Sequence, residues 1–377
     1  MLIVLASPDA LVQAGGLNAA LVTVLRNVST AKHPVGVVSN HAEPAWFAGA
    51  FAGSAVQFVH QPGRQKGQVV AANAHALGLK PFDALVLAFN DADMQMGKNG
   101  GGILVAAGWS TDAKVKSLGI QVASPQELAD VIALTDGWAG EWWYRGDGPL
   151  YNVRALSDLS GYMKPYDVAA FAKSLTQTVK NGGARLLSLL TVTSRSLLFD
   201  GAGTQDGLLW GVYPSSKSAN DDTEVLSGFT HGLRTTVSRA HMARRGAPLF
   251  IRHTPSAKRS AGGGVDRTDP TDQLLTLHLN PDYKSGIKGK NIMVVDDCTT
   301  YGVSFGVAAA LLRKAGAKSV TGVALGKFGD QLRHYDIDVL ADPFKPLPVG
   351  GFKVNKVTLF PGKTHPVTQK VLQALIP

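Results

Sequence analysis

Residues 289–304 constrain the fold of this chain more than any other stretch. Four consecutive apolar residues, Ile292 to Val295, are followed by the adjacent carboxylates of Asp296 and Asp297. Small hydroxyl residues come next, and the spacing of apolar residues then becomes typical of a helix. The pattern predicts a buried strand, a polar loop and a helix from about Phe305 to Ala315.

The chemistry of this joint points to a sugar phosphate. A strand that runs through a loop into a helix places backbone N–H groups and a helix N-terminus where an anion can bind. Asp296 and Asp297 would repel that anion, so they need another partner. Ionised carboxylates only accept hydrogen bonds and are hard oxygen ligands, which suits a diol or Mg²⁺. A helix cap would explain one aspartate but not two.

Chain length and cysteine usage set broad limits. A chain of 377 residues predicts two or three domains, and its single cysteine, Cys298, excludes an internal disulfide framework. A reducing, cytoplasmic setting is therefore expected. The apolar segment Met1 to Leu25 lacks a basic n-region and is interrupted by polar residues, so it predicts a strand and a helix, with no membrane segment.

Charge is distributed unevenly along the chain. Residues 1–136 contain 8 basic and 9 acidic residues, which leaves 29 basic and 19 acidic residues for the rest of the chain. The C-terminal part therefore carries a net charge of +10 and attracts anions. Nucleic acid, nucleotides and sugar phosphates all fit this charge, and so does a merely basic surface.

The N-terminal region, residues 1–136, predicts a doubly wound parallel sheet, because short apolar strands alternate with helical segments. It resembles the haloacid-dehalogenase-like domains. The segments that carry the resemblance are Leu5 to Asp9, Val38 to Asn40, Lys66, Asp91 to Gly101 and Ser124 to Leu128. Active members of that family use an aspartate nucleophile and a metal-binding acidic loop.

Two departures from that family's pattern affect the expected activity. Ser7 stands where the nucleophile belongs, with only Asp9 retained, and Phe89 and Asn90 occupy the place of the first metal-binding aspartate. Serine cannot supply the carboxylate that attacks phosphorus and binds Mg²⁺. We expect a catalytically silent domain that is structural, ligand-sensing or responsible for a homodimer; a working phosphatase is the alternative.

The connecting region, residues 137–185, is rich in aromatic residues and turn formers. Trp138, Trp142 and Trp143 lie here, and they favour an ordered linker packed against a domain. A base-stacking platform is the less common use of such residues. Asp167 to Val179 has the spacing of an amphipathic helix.

The C-terminal region, residues 186–377, contains two further polar segments. The apolar run Leu208 to Tyr213 predicts a strand, and Pro214 to Ser218 places hydroxyl groups around Lys217 after it, as in an anion site. Turn chemistry alone would also explain that cluster. The glycine-rich, basic stretch 253–267 predicts a lid over an anionic substrate. A disordered surface loop or contact with nucleic-acid phosphates are the alternatives.

With these segments in place, the C-terminal region resembles the type I phosphoribosyltransferases, most nearly the competence-protein F-like branch. The resemblance rests on Val294 to Ser304, and on Tyr213 to Lys217, Gly228-Phe229 and Arg252 in the expected order. It implies a second doubly wound α/β domain and a Mg²⁺-dependent transfer of ribose 5-phosphate from 5-phosphoribosyl-1-pyrophosphate to an acceptor that the sequence does not identify. A regulator that senses the same ligand and binds nucleic acid is the alternative.

The resemblance also implies roles for individual residues. Asp296 and Asp297 would bind the ribose 2- and 3-hydroxyls, with Mg²⁺ bridging sugar and pyrophosphate. Tyr301 replaces a hydroxyl residue that is more usual at its position. The remaining implied binding residues are Thr299, Thr300, Tyr301, Gly302, Val303 and Ser304 for the 5-phosphate, Ser215, Ser216 and Lys217 for the pyrophosphate, and Arg252 as a further substrate-binding residue.

Overall fold

The structure of the protein, a computed structural model, describes residues 1–13, 16–31, 33–161, 163–183, 185–237, 241–242, 246–256 and 266–376, with only the backbone at 241–242. The chain forms two compact units. One comprises Met1–Gly140, Leu187–Thr204 and Gly232–Arg239, and the other comprises Glu141–Leu186, Gln205–His231 and Ala240–Pro377. Both are built from strands and helices, which confirms the α/β prediction. No helix in the described part of the chain is long and apolar enough to cross a membrane.

The first unit contains a six-stranded parallel sheet and a small hairpin. Its strands are β1 (Ile3–Ala6), β2 (Val12–Gln13), β3 (Gly16–Leu17), β4 (Val35–Ser39), β5 (Gln57–His60), β6 (Ala84–Ala88), β7 (Ile103–Ala107) and β8 (Gln121–Val122). The sheet order is β5-β4-β1-β6-β7-β8, and the hairpin pairs β2 with β3. From β1 the chain adds β4 and β5 on one side of the sheet, and it then adds β6, β7 and β8 on the other side. Doubly wound sheets bind ligands at the point between β1 and β6 where the strand order reverses in this way.

Seven α-helices accompany these strands among the described residues of the first 140. They are α1 (Pro8–Leu11), α2 (Ala19–Thr30), α3 (Trp46–Ala50), α4 (Gln68–Ala76), α5 (Asp91–Gly100), α6 (Ala113–Lys116) and α7 (Pro125–Gly137). The central strands are fully buried because their apolar runs face helices on both sides. Val70 and Val86 belong to the resulting hydrophobic core.

The second unit has a seven-stranded mixed sheet and two smaller antiparallel pairs. Its strands are β9 (Tyr144–Asp147), β10 (Asn152–Ala155), β11 (Leu208–Val212), β12 (His241–Met242), β13 (Phe250–Arg252), β14 (Leu277–Leu279), β15 (Asn291–Thr299), β16 (Ser319–Lys327), β17 (Arg333–Val339), β18 (Phe352–Leu359) and β19 (Gly362–Thr364). The order of the large sheet is β12-β11-β15-β16-β10-β9-β19. Strands β12 to β10 in that order are parallel, whereas β9 is antiparallel to both of its neighbours, β10 and β19.

The remaining helices complete the chain. They are α8 (Tyr166–Asn181), α9 (Arg185–Phe199), α10 (Val225–Val237), α11 (Thr271–Thr276), α12 (Val303–Lys314) and α13 (Pro366–Leu375). Helix α12 connects β15 to β16 and is buried along most of its length, including Phe305 and Leu311. It thereby fixes the loop that precedes it, which is the loop singled out by the sequence.

The division of the chain differs from the predicted boundary near residue 186. Residues 187–204, which include most of α9, fall in the first unit. There Arg195 forms an ion pair with Asp83 at 2.7 Å, and Ser196 accepts a hydrogen bond from Trp138 at 2.9 Å. The predicted aromatic linker also differs, because Tyr144–Asp147 and Asn152–Ala155 are strands of the second sheet.

One predicted helix has different bounds. The sequence from Leu233 to Arg244 predicts a helix, whereas α10 spans Val225–Val237; residues 238–240 and 243–244 of that prediction lie outside the described residues. The missed first half contains Gly228 and the polar residues Ser227, Thr230 and His231, which weaken a helix prediction from propensity alone. Tertiary packing overrides this preference, since Leu226, Phe229 and Leu233 are buried.

Candidate functional site

The acidic pair lies at the carboxyl end of β15, at the edge of the second sheet. The strand continues past the apolar run through Asp296 to Thr299, because Asp296 pairs with Ala324 and Thr299 with Lys327 in the neighbouring β16. On the other side, Val212 at the end of β11 pairs with Val295. The loop after β11 therefore leaves the sheet beside the two aspartates, as adjacent parallel strands require.

Asp296 is a buried carboxylate with only 9% of its surface exposed. Its Oδ1 accepts a hydrogen bond from the Asp297 N–H at 2.9 Å, and its Oδ2 accepts one from the Ser304 hydroxyl at 2.7 Å. Burial and the neighbouring Asp297 charge raise the pKa of Asp296 well above its ordinary value. The pair consequently favours a ligand that offers hydroxyl donors or positive charge.

The loop between β15 and α12 ends in an uncapped helix N-terminus. Gly302 is the N-cap residue and adopts a left-handed conformation with φ +80°, and no side chain caps the helix. The Gly302 N–H donates to Thr299 Oγ1 at 3.1 Å, which closes the loop on itself. The first N–H groups of a helix have no acceptor within it, so the start of α12, at Val303 and Ser304, is suited to an anion.

Hydroxyl groups around this loop differ in their availability. The Ser304 hydroxyl already donates to Asp296, so it can donate to a phosphate only by breaking that bond. Thr300 Oγ1 instead accepts a hydrogen bond from Arg267 Nη2 at 3.1 Å, which leaves its own proton for another acceptor. The Arg333 guanidinium lies 5.5 Å from the centre of the half-buried Tyr301 ring. Two cations thus flank the loop.

Arg252 supports the loop after β11 through hydrogen bonds. This arginine is 4% exposed, and its Nε donates to the Ser215 carbonyl at 2.7 Å. Its other donors bind Thr276 Oγ1 at 2.9 Å and Gln273 Oε1 at 2.8 Å. Arg252 is therefore placed as a support for the loop, whereas its predicted role was direct contact with ligand.

The side chains of this loop face solvent. Lys217 and Ser215 are exposed, Ser216 is half-buried, and the Ser215 hydroxyl donates to Glu224 Oε1 at 2.8 Å. Lys217 is the basic side chain of this loop, and it is exposed. The predicted lid, 253–267, is only partly described, because residues 257–265 lie outside the described residues.

Magnesium would have to be held largely by the ligand. Among the described residues no cluster of three or more His, Cys, Asp or Glu side chains could hold a metal ion. Mg²⁺ commonly binds one or two carboxylates and takes its other oxygens from phosphates and water. The donor set of Asp296 and Asp297 fits that arrangement.

Sequence reasoning missed Lys327, which ends β16 directly beside Thr299. Its side chain is fully buried. The available signal was a lysine at the end of the apolar strand Val320 to Leu325, in a sheet where the carboxyl ends of parallel strands meet.

The first unit has its own polar cluster at the carboxyl ends of β1 and β6. Asp93 is completely buried and accepts hydrogen bonds from the Ser7 hydroxyl at 2.8 Å and the Phe89 N–H at 3.0 Å. Arg64 also forms an ion pair with Asp93. Asp9 accepts a hydrogen bond from Asn90 at 2.7 Å. The cluster contains no carboxylate at position 7; Arg64 is the cation that contacts Asp93, whereas the side chain of Lys66 is exposed.

We expect Arg64→Met to destabilise the first unit by about 3–5 kcal/mol, because Asp93 would be left as a buried charge without its cation. Burial already raises the pKa of Asp93, and the Arg64 charge opposes that effect. Local unfolding should be followed by hydrogen exchange of peptides from β1 and β6 in urea. Lys66→Met is the matched control and should change little. Equal exchange in the two variants would contradict a stabilising role for the ion pair; Asp93→Asn in the Arg64→Met background should restore most of the protection.

Comparisons with known proteins complete the description of the site. No protein-family model matches this chain, and no curated protein sequence matches it. A cobalt-bound deoxy-D-mannose-octulosonate 8-phosphate phosphatase from Haemophilus influenzae is similar over 37% of this chain and 90% of its own, with 12% identity and a TM-score of 0.29. Leishmania donovani UMP synthase is similar over 86% of this chain and 90% of its own, with 11% identity and a TM-score of 0.18. At such identities and TM-scores these likenesses do not bear on the activity of this chain.

Proposed function

We propose that the second unit binds 5-phosphoribosyl-1-pyrophosphate and transfers its ribose 5-phosphate to an acceptor, releasing pyrophosphate. One observation carries the proposal: an acidic pair, an uncapped helix N-terminus and a lysine-bearing loop follow the carboxyl ends of two adjacent parallel strands. Asp296 and Asp297 follow the apolar part of β15, Gly302 is the N-cap residue of α12, and Lys217 follows β11. Each group suits a different part of the same ligand.

The 5-phosphate would bind at the start of α12. The N–H groups of the first turn and the Thr300 hydroxyl are donors, and Arg267 adds positive charge beside that hydroxyl. Oriented N–H groups and a helix dipole stabilise a dianion without any rearrangement of the protein. The 5-phosphate would thus fix the position of the sugar ring.

The ribose hydroxyls would donate to Asp296 and Asp297. Because Asp296 is buried, hydrogen bonds from a diol to its ionised form are stronger than they would be in water. This contact orients C1 of the ribose, and catalysis in such a site comes mainly from positioning and charge stabilisation. The side chains do not need to form a covalent intermediate.

The pyrophosphate group would lie over the 214–218 loop. Its departure from C1 breaks the C–O bond with both electrons, and a nucleophile on the acceptor forms the new bond to C1. Lys217 would neutralise the leaving group, and Arg252 would hold the loop carbonyls in place. Asp296 and Asp297 are the residues that would hold Mg²⁺, which when bound supplies further charge neutralisation for the pyrophosphate.

Turnover is the direct test. The full-length protein should be mixed with Mg²⁺, 5-phosphoribosyl-1-pyrophosphate and one member at a time of a panel of nitrogenous bases and amines, and pyrophosphate release should be measured. Release that depends on one acceptor class is the expected result. Binding without turnover for any acceptor would contradict the transferase and favour a sensor, and absence of binding would contradict both.

A second candidate function is a regulator that binds nucleic acid. It is favoured by the excess of basic residues after residue 136, 29 against 19 acidic. Binding of a nucleic acid through phosphate contacts weakens steeply with added salt, by several powers of ten for six to ten contacts. A flat salt dependence of binding to a labelled duplex or single strand, or no binding, would exclude this candidate.

A further inference from the structure

Lys327 is a buried cation in an unusual setting. It ends β16, is fully buried, and has no carboxylate within ion-pair distance of its Nζ in the described part of the chain. The rings of Trp143 and Tyr144 lie beside the ammonium group, with centres 6.0 and 5.4 Å from Nζ. Burial lowers the pKa of Lys327 to about 8, although the charges of Asp158 and Asp330 act in the opposite direction.

The side-chain hydrogen bonds of this lysine all go to one turn of the main chain in the described part of the protein. Its Nζ donates to the carbonyl of Gln331 at 2.8 Å, to that of Phe328 at 3.4 Å and to that of Gly329. A single ammonium group therefore collects three carbonyl oxygens from residues 328–331. An ammonium group has three N–H donors, so this turn can use all of them.

The same turn contacts the loop at the start of α12. The Phe328 N–H donates to the Thr299 carbonyl at 2.8 Å, and the Arg333 N–H donates to the Tyr301 carbonyl at 3.0 Å. A Cβ atom placed on Gly302 would lie 2.9 Å from Leu332 Cδ1, so Leu332 packs directly against that glycine. Any shift of residues 328–332 would therefore move the loop that the proposed function assigns to the 5-phosphate.

Stability alone is a poor explanation of Lys327. Burial of an ammonium group is unfavourable, and replacement of buried charges by apolar side chains of similar volume is often neutral or stabilising. A methionine in this position could fill much of the same space between Trp143 and Tyr144. The lysine differs from it in binding the three carbonyl groups, which points to control of the turn's conformation.

We propose that Lys327 is a positioning residue that holds the 328–332 turn against residues 299–302 and so fixes the geometry of the 5-phosphate site. The proposal rests on the proposed function of the second unit for the identity of the ligand. The mechanical coupling between residues 328–332 and residues 299–302 does not depend on that function. The two parts can therefore be tested separately.

The coupling is tested by hydrogen exchange and by binding of two probes. Lys327→Met removes the donors at nearly constant length, Lys327→Gln retains two N–H donors, and exposed Lys356→Met in β18 is the matched control. Exchange should be compared for peptides covering residues 299–306 and 328–335. Calorimetry should measure the Kd for ribose 5-phosphate, which needs the loop at α12, and for inorganic pyrophosphate, which needs the 214–218 loop.

We expect Lys327→Met to speed exchange in both peptides and to weaken ribose 5-phosphate binding by roughly tenfold to a hundredfold, which is the effect of losing one hydrogen bond to a charged group. Pyrophosphate binding by Lys327→Met should stay within about twofold of wild type. The ribose 5-phosphate affinity of Lys327→Gln should lie between those of the wild type and Lys327→Met, because part of the donor set remains. Lys356→Met should behave as wild type.

Each other outcome has a definite reading. Unchanged exchange in folded Lys327→Met, or equal weakening of both probes, would overturn the positioning role. If Lys327→Met does not fold, Lys327→Gln supplies the same comparison, and wild-type exchange in that variant would overturn the proposal. If the wild-type protein binds neither probe, the proposed function fails, while the exchange measurements still decide whether Lys327 holds the two segments together.

Discussion

Replacing Asp296 and Asp297 together by asparagine should weaken binding of ribose 5-phosphate roughly a hundredfold or more. Hydrogen bonds to charged groups each contribute about 1.5–3 kcal/mol, and every 1.4 kcal/mol is a factor of ten in Kd. Asparagine retains the shape of aspartate but lacks its charge, and it presents an N–H₂ group where the diol needs an acceptor. The loss should therefore exceed the contribution of a single hydrogen bond.

The fold should survive this double substitution. The pKa of Asp296 is raised in the folded protein, so its charged form costs stability at pH values above its unfolded pKa. Asparagine removes that cost, and its carbonyl oxygen can still accept one of the hydrogen bonds that Asp296 accepts from Asp297 N and Ser304 Oγ. The thermal unfolding temperature is expected to stay the same or to rise.

Calorimetry with ribose 5-phosphate, in parallel with thermal unfolding, measures both effects. A matched control is Asp282→Asn with Asp338→Asn, which changes the net charge by the same amount at two exposed positions. The control should bind within about twofold of wild type, because exposed charges at a distance are screened by salt. If the acidic-pair variant binds as tightly as the control, the assignment of the diol to Asp296 and Asp297 is wrong.

The sequence predicted the joint between β15 and α12 because the residue patterns that favour the strand and the helix are local. Four consecutive apolar residues favour a buried strand, and apolar spacing after Phe305 favours a helix. The extension of β15 to Thr299 could not be predicted in this way. It depends on main-chain pairing with β16, which brings Thr299 opposite Lys327. Such pairing is set by distant residues and leaves no trace in local composition.

The same distinction explains helix α9, which the sequence interpretation did not include. Residues 189–198 of this helix are all buried, and they include hydroxyl residues, Thr191, Thr193, Ser194 and Ser196, that obscure the apolar period of a helix. Thr191 satisfies its hydroxyl by donating to the Leu187 carbonyl within the helix at 2.9 Å. A hydroxyl group bonded in this way can be buried at little cost. The hydroxyls of Thr193 and Ser194 are buried with no hydrogen-bond partner among the described residues, so a hydroxyl residue in the sequence need not mean an exposed position.

Supporting residues of the site were the hardest to predict. Arg252 was placed at the site from a resemblance, but its burial and its bonds to Ser215, Thr276 and Gln273 depend on how β13 and α11 pack. Lys327 acts on the loop through three carbonyl groups, and carbonyl groups are present in every residue. Side chains that bind main-chain atoms carry no spacing pattern that a single sequence could reveal.

Gly302→Val should reduce ribose 5-phosphate binding by a factor comparable to that of the acidic-pair variant, through the backbone. Gly302 has φ +80°, a conformation that β-branched residues rarely adopt. A left-handed conformation costs a residue with a Cβ about 1–2 kcal/mol. The added Cβ would also lie 2.9 Å from Leu332 Cδ1 and 3.3 Å from the Arg333 carbonyl oxygen, and Leu332 is 1% exposed, so it has little room to move.

Strain and displacement can be separated by a second glycine. Gly350 has φ +81°, and a Cβ built on it meets no atom within 4 Å. Gly350→Val therefore imposes the same unfavourable backbone conformation without a collision and away from the loop at α12. Both variants should lose stability, whereas only Gly302→Val should lose ribose 5-phosphate binding, because only there must the loop that carries the Gly302 N–H move. Equal binding by the two variants would show that the 5-phosphate does not depend on this loop, and the site would have to be sought at another strand end of the sheet.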